Sequence, residues 1–156
     1  MKATRLLKDD HARVKKLFAQ LERTSDRAAR TRARLVERIA AELQVHAQIE
    51  EEILYPAAED VDALLALVQA SRKDHAGMKK LLAEVRGLDA AGDGFVPKMS
   101  KLRDAVLHHA IDQEEKHIFP VLERELGADA LTRLGIELKV RRQSLLKGHA
   151  PAIAAA

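Results

Sequence analysis

The sequence has no cysteine and no tryptophan, and only one tyrosine and three phenylalanines in 156 residues. The lack of cysteine excludes a disulfide scaffold, a zinc finger, an iron–sulfur cluster and thiol catalysis. With aromatics at 3 %, the core has to be aliphatic. The seven glycines and four prolines sit in a few places, so long regular elements are expected. No apolar run approaches the roughly 20 residues of a membrane span. The opening MKATRLLKDDHARV is charged early and contains no apolar signal core. These absences point to a soluble, cytoplasmic protein with no membrane partner. An excess of one charge is missing as well, since 27 Lys and Arg face 24 Asp and Glu. The densest basic stretch (Arg27, Arg30, Arg32, Arg34, Arg38) opens a helical segment and reads as a solvated face. Nucleic acid is not an expected partner, because no single-sided basic patch or set of stacking aromatics is visible.

What the chain does contain is Ala, Leu, Arg, Lys and Glu, the strong helix formers, and an internal repeat. DHARVKKL at 10–17 returns as DHAGMKKL at 74–81, and EEEILYP at 50–56 returns as EEKHIFP at 114–120, both at an offset of 64. Glu50 thus maps to Glu114, Glu51 to Glu115, Tyr55 to Phe119 and Pro56 to Pro120. Each half holds two helical segments. The first runs from about Thr4 to Arg23, with Leu6, Leu7, Val14, Leu17, Phe18 and Leu21 at helical spacing. Ser25 or Asp26 offers a cap for the second, which is expected to stop at Pro56. The third covers about Val61 to Arg86, and the loop Gly87–Phe95 is the clearest break. The fourth starts near Pro97 and reaches Phe119 or slightly beyond Pro120. A short fifth helix is expected at about 128–147, leaving 148–156 as a frayed tail. The fold class is therefore all-α: an antiparallel up-down-up-down four-helix bundle, a duplicated hairpin with an added C-terminal helix, forming one domain over 1–147.

Each segment of the bundle carries one histidine: His11, His46, His75 and His109. His46 and Glu50 are four apart and share a helix face. Antiparallel packing brings the four histidines to a similar depth, so four His and two Glu should converge. Buried carboxylates and imidazoles are costly unless paired or metal-bound, and this donor mixture suits iron, manganese or zinc better than calcium. His108 points away from the cluster and is expected to be exposed. His117, whose repeat counterpart is Ile53, reads as a packing residue. Glu51, Glu52 and Glu115 read as solvent-facing, while Asp10 and Asp74 fit either the surface or a place behind the histidines. Tyr55 and Phe119 read as core plugs, with Tyr55 able to reach the cluster. His149 lies in the tail.

DHARVKKLF, HAQIEEEILYP, DHAGMKKLL and HHAIDQEEKHIFP together resemble the hemerythrin-like family, the HHE cation-binding domains of bacteria, over about residues 4–125. The resemblance implies a non-haem di-iron site, two Fe ions bridged by carboxylates and an oxo or hydroxo species. Carried over residue by residue, its ligands are His11, His46, Glu50, His75, His109 and Glu114. The chain departs from the oxygen carriers at Lys79, where they have a fifth histidine. That difference argues for redox chemistry over reversible oxygen carriage. His109 and Glu114 are five apart, a spacing that a regular helix aligns poorly and a π-bulge would repair; Asp112 is the fallback ligand. The expected function is binding or reduction of O2, peroxide or nitric oxide in oxidative or nitrosative stress handling, with possible peroxide-decomposing turnover. The alternative is an O2- or iron-binding, storage or sensing module without turnover. Repair of iron–sulfur centres and a metal-free helical adaptor rank lower. The assembly expected is a monomer or homodimer.

Overall fold

The computed structural model describes residues 1–149; residues 150–156, most of the expected frayed tail, lie outside the described residues. Among the described residues every regular element is helical. The first long helix, α1 (Ala3–Glu22), is followed by a 3₁₀ turn and α2 (Ala29–Ile49). No side chain caps α2. The expected Ser25 or Asp26 cap gives way to Thr24, whose hydroxyl donates to Leu21 O and accepts from Arg32 Nε.

From α2 the chain continues without a break through a π-helical turn, Glu50–Leu54, into α3 (Tyr55–Glu59). The helix does not stop at Pro56, contrary to the expectation from sequence. In the widened turn the Tyr55 N–H reaches back to Glu50 O. Proline lacks an N–H and normally clashes with the carbonyl four residues back; a turn already opened to five-residue bonding relieves both problems. A 3₁₀ turn then leads to α4 (Leu65–Arg86). The fourth rod begins with α5 (Phe95–Leu107), passes through an eleven-residue π segment, His108–Ile118, and continues into α6 (Phe119–Lys147). Its π segment spans the His109–Glu114 step, where the five-residue spacing called for one. α6 is broken at Gly127, whose φ of 77° lies in the left-handed region that favours glycine.

Cross-helix contacts give the directions. Thr4 at the start of α1 donates to Glu123 at 2.7 Å, and Arg103 pairs with Glu22 at its end. Arg86 at the end of α4 pairs with Glu37 near the start of α2 at 2.9 Å. Neighbours are therefore antiparallel, and the bundle is up-down-up-down as expected. After Gly127, residues 128–147 form a 20-residue fifth helix. It is not a cap on the bundle end but lies along α1 and α2, with Gly135 against Met1–Ala3 and Arg142 against Asp10.

The core is in two parts. One, at the α1 start, packs Leu6, Leu7, Val45, Ile49, Leu54, Tyr55, Phe119, Leu131 and Leu138; the other packs Val14, Phe18, Ile39, Leu82, Leu102 and Val106. Between these aliphatic layers lies a buried polar one. Arg32 and Arg38, expected on a solvated face, are partly withdrawn: Arg32 is 6 % exposed, donates to Ala90 O and lies over Phe95, and Arg38 pairs with Glu42. No helix among the described residues is long and apolar enough to cross a membrane.

Candidate metal centre

The polar layer is built from one histidine per rod and two glutamates, all buried. Two groups of ligand atoms form, His11–His46–Glu50–Glu114 and Glu50–His75–His109–Glu114, and within each the atoms lie within 4.8 Å of one another. Both glutamates belong to both groups. Glu50 turns Oε1 to His46 Nε2 at 3.2 Å and Oε2 to His75 Nε2 at 3.2 Å. Glu114 turns Oε2 to His11 Nε2 at 3.2 Å and Oε1 to His109 Nε2 at 3.1 Å. Each group could hold a metal ion, and the two groups share both carboxylates. The six residues singled out from sequence are thus brought together. Asp112 is not among them: it pairs with Lys116 at 2.6 Å and faces His108, which is exposed.

Behind every imidazole stands a carboxylate. His11 Nδ1 faces Glu115 at 2.8 Å, His46 Nδ1 faces Asp10 at 3.4 Å, His75 Nδ1 faces Glu51 at 2.9 Å, and His109 Nδ1 faces Asp74 at 3.2 Å. A carboxylate accepts only, so each Nδ1 donates to its carboxylate, and each Nε2 is turned inward to the two glutamates. Glu51 and Glu115 were expected in solvent, and the structure corrects that. Their signal was the repeat itself, which returns Asp10 as Asp74 and Glu51 as Glu115 at one offset. His117, expected to pack, is exposed.

The inward face crowds ring nitrogens and carboxylate oxygens together. His11 and His46 Nε2 approach to 3.2 Å, and His75 and His109 Nε2 to 3.1 Å. Glu50 Oε1 and Glu114 Oε2 are buried and accept no hydrogen bond. Donors so crowded need positive charge among them, and in the protein alone only protons can supply it. Burial works against charge on His46, but Glu50 and Asp10 outweigh it and hold its pKa well above the usual imidazole value. Burial likewise opposes the charge on His109, while Glu114 holds its pKa up at about 9. Glu50 is pushed up by burial and pulled further down by His46 and His75, ending well below the carboxylate range. A set of four imidazole nitrogens and four carboxylate oxygens fits divalent transition-metal cations.

At the position of Tyr55 the two halves of the centre differ. The Tyr55 hydroxyl donates to Glu114 Oε1 at 2.8 Å and lies 3.1 Å from His75 Nε2. Burial, then Glu50 and Glu114, keep it protonated. Its counterpart Phe119 instead stacks on His11, with ring centroids 5.9 Å apart. Lys79 points outward to Glu51 at 3.3 Å. All four histidines line a narrow apolar cavity of about 40 Å³ whose rim includes Gln44 and Lys79.

Comparison with known proteins gives a consistent picture. The family described as Hemerythrin HHE cation binding domain matches residues 2–122. A "DNA nickase" from a Nostoc species is 24 % identical over 140 residues, covering 90 % of this chain and 39 % of the nickase. An uncharacterised hemerythrin-like protein of Schizosaccharomyces pombe is 25 % identical over 122 residues, 77 % of this chain and 59 % of that protein. The chain thus spans less than two thirds of either relative. The crystal structure of a hemerythrin HHE cation-binding domain-containing protein from Mycobacterium kansasii superposes with a TM-score of 0.83 at 21 % identity, covering 100 % of this chain and 99 % of that one.

Proposed function

The chain belongs to the hemerythrin HHE cation-binding domain family, and we propose that it is a cytoplasmic non-haem di-iron protein that binds or reduces O2, peroxide or nitric oxide in oxidative or nitrosative stress. The observation that carries this reading is the sharing of Glu50 and Glu114 between two histidine pairs. The ligands assigned are His11 and His46 for one ion, His75 and His109 for the other, and Glu50 and Glu114 for both. Iron held there would supply a redox couple for chemistry on a small ligand.

The chain's own residues do the rest. Asp10, Glu51, Asp74 and Glu115 orient the four imidazoles. Tyr55 keeps a proton at Glu114 Oε1, on one side of the centre only. The cavity of about 40 Å³ beside the four histidines has room for a small ligand, since a water needs roughly 10–15 Å³. Its apolar walls suit a neutral ligand.

The same cavity would serve the second reading, binding or storage without turnover, and peroxide consumed per bound metal separates the two. Nicking of DNA is said of the Nostoc protein, of which this chain matches 39 %. Interleaved surface pairs such as Lys98–Glu84 and Lys116–Asp112 support leaving nucleic acid out of the proposal; strongly salt-dependent DNA binding would restore it.

The test is elemental analysis of protein expressed with added iron, with the optical spectrum recorded alongside. Close to two irons per chain with oxo-bridge absorption is expected. Absence of iron and of any other transition metal overturns the proposal.

A further inference from the structure

The four carboxylates behind the histidines are not equivalent. Asp74 and its repeat counterpart Asp10 both face an imidazole, yet the side chain of Asp74 is 37 % exposed and that of Asp10 only 4 %. The difference lies in what surrounds Asp10. Its Oδ2 faces His46 Nδ1, while its Oδ1 is taken by Arg13 and by Arg142 Nε at 3.3 Å. The residue at the repeat position of Arg13 is Gly77, with no atom near where a Cβ would be. Buried Glu42 ties the cluster together, accepting from Arg142 at 3.1 Å, Arg38 at 3.1 Å and Arg13 at 3.4 Å. The equivalent position, four residues before His109 as Glu42 is before His46, is Ala105. The first hairpin has therefore gained an ionic cluster that the second lacks. Such clusters rarely repay their desolvation in stability, so a role in positioning is the better account.

Arg142 comes from the fifth helix, outside the four rods that supply the ligands. It reaches Asp10 because that helix lies close to the start of α1, where a Cβ on Gly135 would come within 2.0 Å of Met1 O. We propose that Arg142 is a positioning residue for the metal centre: by holding Asp10 it fixes the His46 imidazole, so the docked C-terminal helix sets the geometry of one ligand. The inference rests on the reading of the centre as a metal site. Arg141, the next residue, is its natural control, since it pairs with exposed Glu52 at 2.6 Å and touches none of the ligands.

The experiment is chelator-driven release of Zn²⁺ from the full chain. Arg142→Met keeps the apolar stem against its neighbours and removes the guanidinium. Release should speed up about tenfold, the lower range for losing an outer partner of a metal ligand, against less than twofold for Arg141→Met. In an Asp10→Asn background the Arg142→Met change should add nothing, because residues acting through one another are not additive. Equal effects of Arg142→Met and Arg141→Met, or full additivity with Asp10→Asn, overturn the inference. A role in packing alone would lower the melting temperature yet leave the two backgrounds additive. Arg142→Gln carries the same comparison if the Met variant does not fold. If the wild-type chain retains neither Zn²⁺ nor iron, it is the reading of the centre that fails. The His46 Nδ1–H resonance of the metal-free protein still judges Arg142 in that case: it should move in Arg142→Met while that of His109 stays, and an unmoved His46 signal overturns the inference.

Discussion

A carboxylate behind an imidazole turns an ambidentate ring into a directed one, and the centre depends on having four of them. His46 shows what is at stake in one residue. It meets Asp10 on one side and Glu50 on the other, and both carboxylates are buried. His46→Ala removes the partner of one oxygen on each, while Asp10 keeps Arg13 and Arg142 and Glu50 keeps His75, so the cost should stay below the roughly 3–5 kcal/mol of a fully broken buried pair. The metal content should fall from two toward one per chain, because His75 and His109 keep their own group with the two glutamates. Unchanged metal content and melting would show that His46 is no ligand. The buried cluster was legible in the sequence because its histidines recur one per helix, but the places of Glu51 and Glu115 behind them were not. A carboxylate beside a ligand looks like any surface acid until the helix is widened and turned. The same contacts set a pH dependence. His109 has its pKa raised to about 9 from an unfolded value of roughly 6.5. Its contribution to the metal-free fold is therefore complete below the lower value and lost as pH rises through the higher. A metal has to displace that proton, so affinity for Zn²⁺ should climb as pH rises toward about 9 and level off above it. Binding at pH 7 in weakly buffered solution should release protons, and a pH-independent affinity without proton release would contradict this protonation of the centre.

At the scale of elements, the helices follow from periodicity and the π segments do not, with one exception. The turn at Glu50–Leu54 has no spacing anomaly to announce it, since His46 and Glu50 sit four apart in ordinary register. The segment at His108–Ile118 does, because His109 and Glu114 share one centre at a five-residue step that turns an α-helix too far. Prolines at 56 and 120 mark helix ends in a local reading, and that is why the second segment was expected to end too early. A π-bulge amounts to one residue inserted without rotating the flanks. Deleting Asp112, which faces solvent and pairs only with Lys116 and His108, should let the fourth rod adopt the four-residue step of the second. The expected variant keeps its capacity for two metal ions, and its metal-free form gains about 1 kcal/mol, the net worth of roughly one recovered hydrogen bond. Metal titration and thermal melts check both. Loss of metal capacity with an intact helical spectrum would mean that the bulge itself shapes the centre.

The molecule as a whole is two aliphatic cores separated by a layer of charge. That layering could be read from the duplication, but the berth of the fifth helix could not. Leu131 and Leu138 are fully buried against the α1–α2 face, yet nothing in their spacing names the surface they cover. Gly135 looks like a weak spot in a helix until Met1 is seen pressed against it. The layering has a thermodynamic consequence. The ligands come from all four rods, so no single helix or hairpin of an unfolded chain can reproduce the shared pair of carboxylates. A metal binding the folded form alone stabilises it by about 2.7 kcal/mol at a hundredfold excess over its dissociation constant. For a chain of this size that corresponds to a rise of roughly 5–10 °C in melting temperature. Zn²⁺ or Fe²⁺ should produce such a rise in the wild-type chain, and His46→Ala should lose the part that comes from the His11–His46 group. A melting temperature that ignores the metal while analysis finds it bound would place the ion on the surface and not between the two cores.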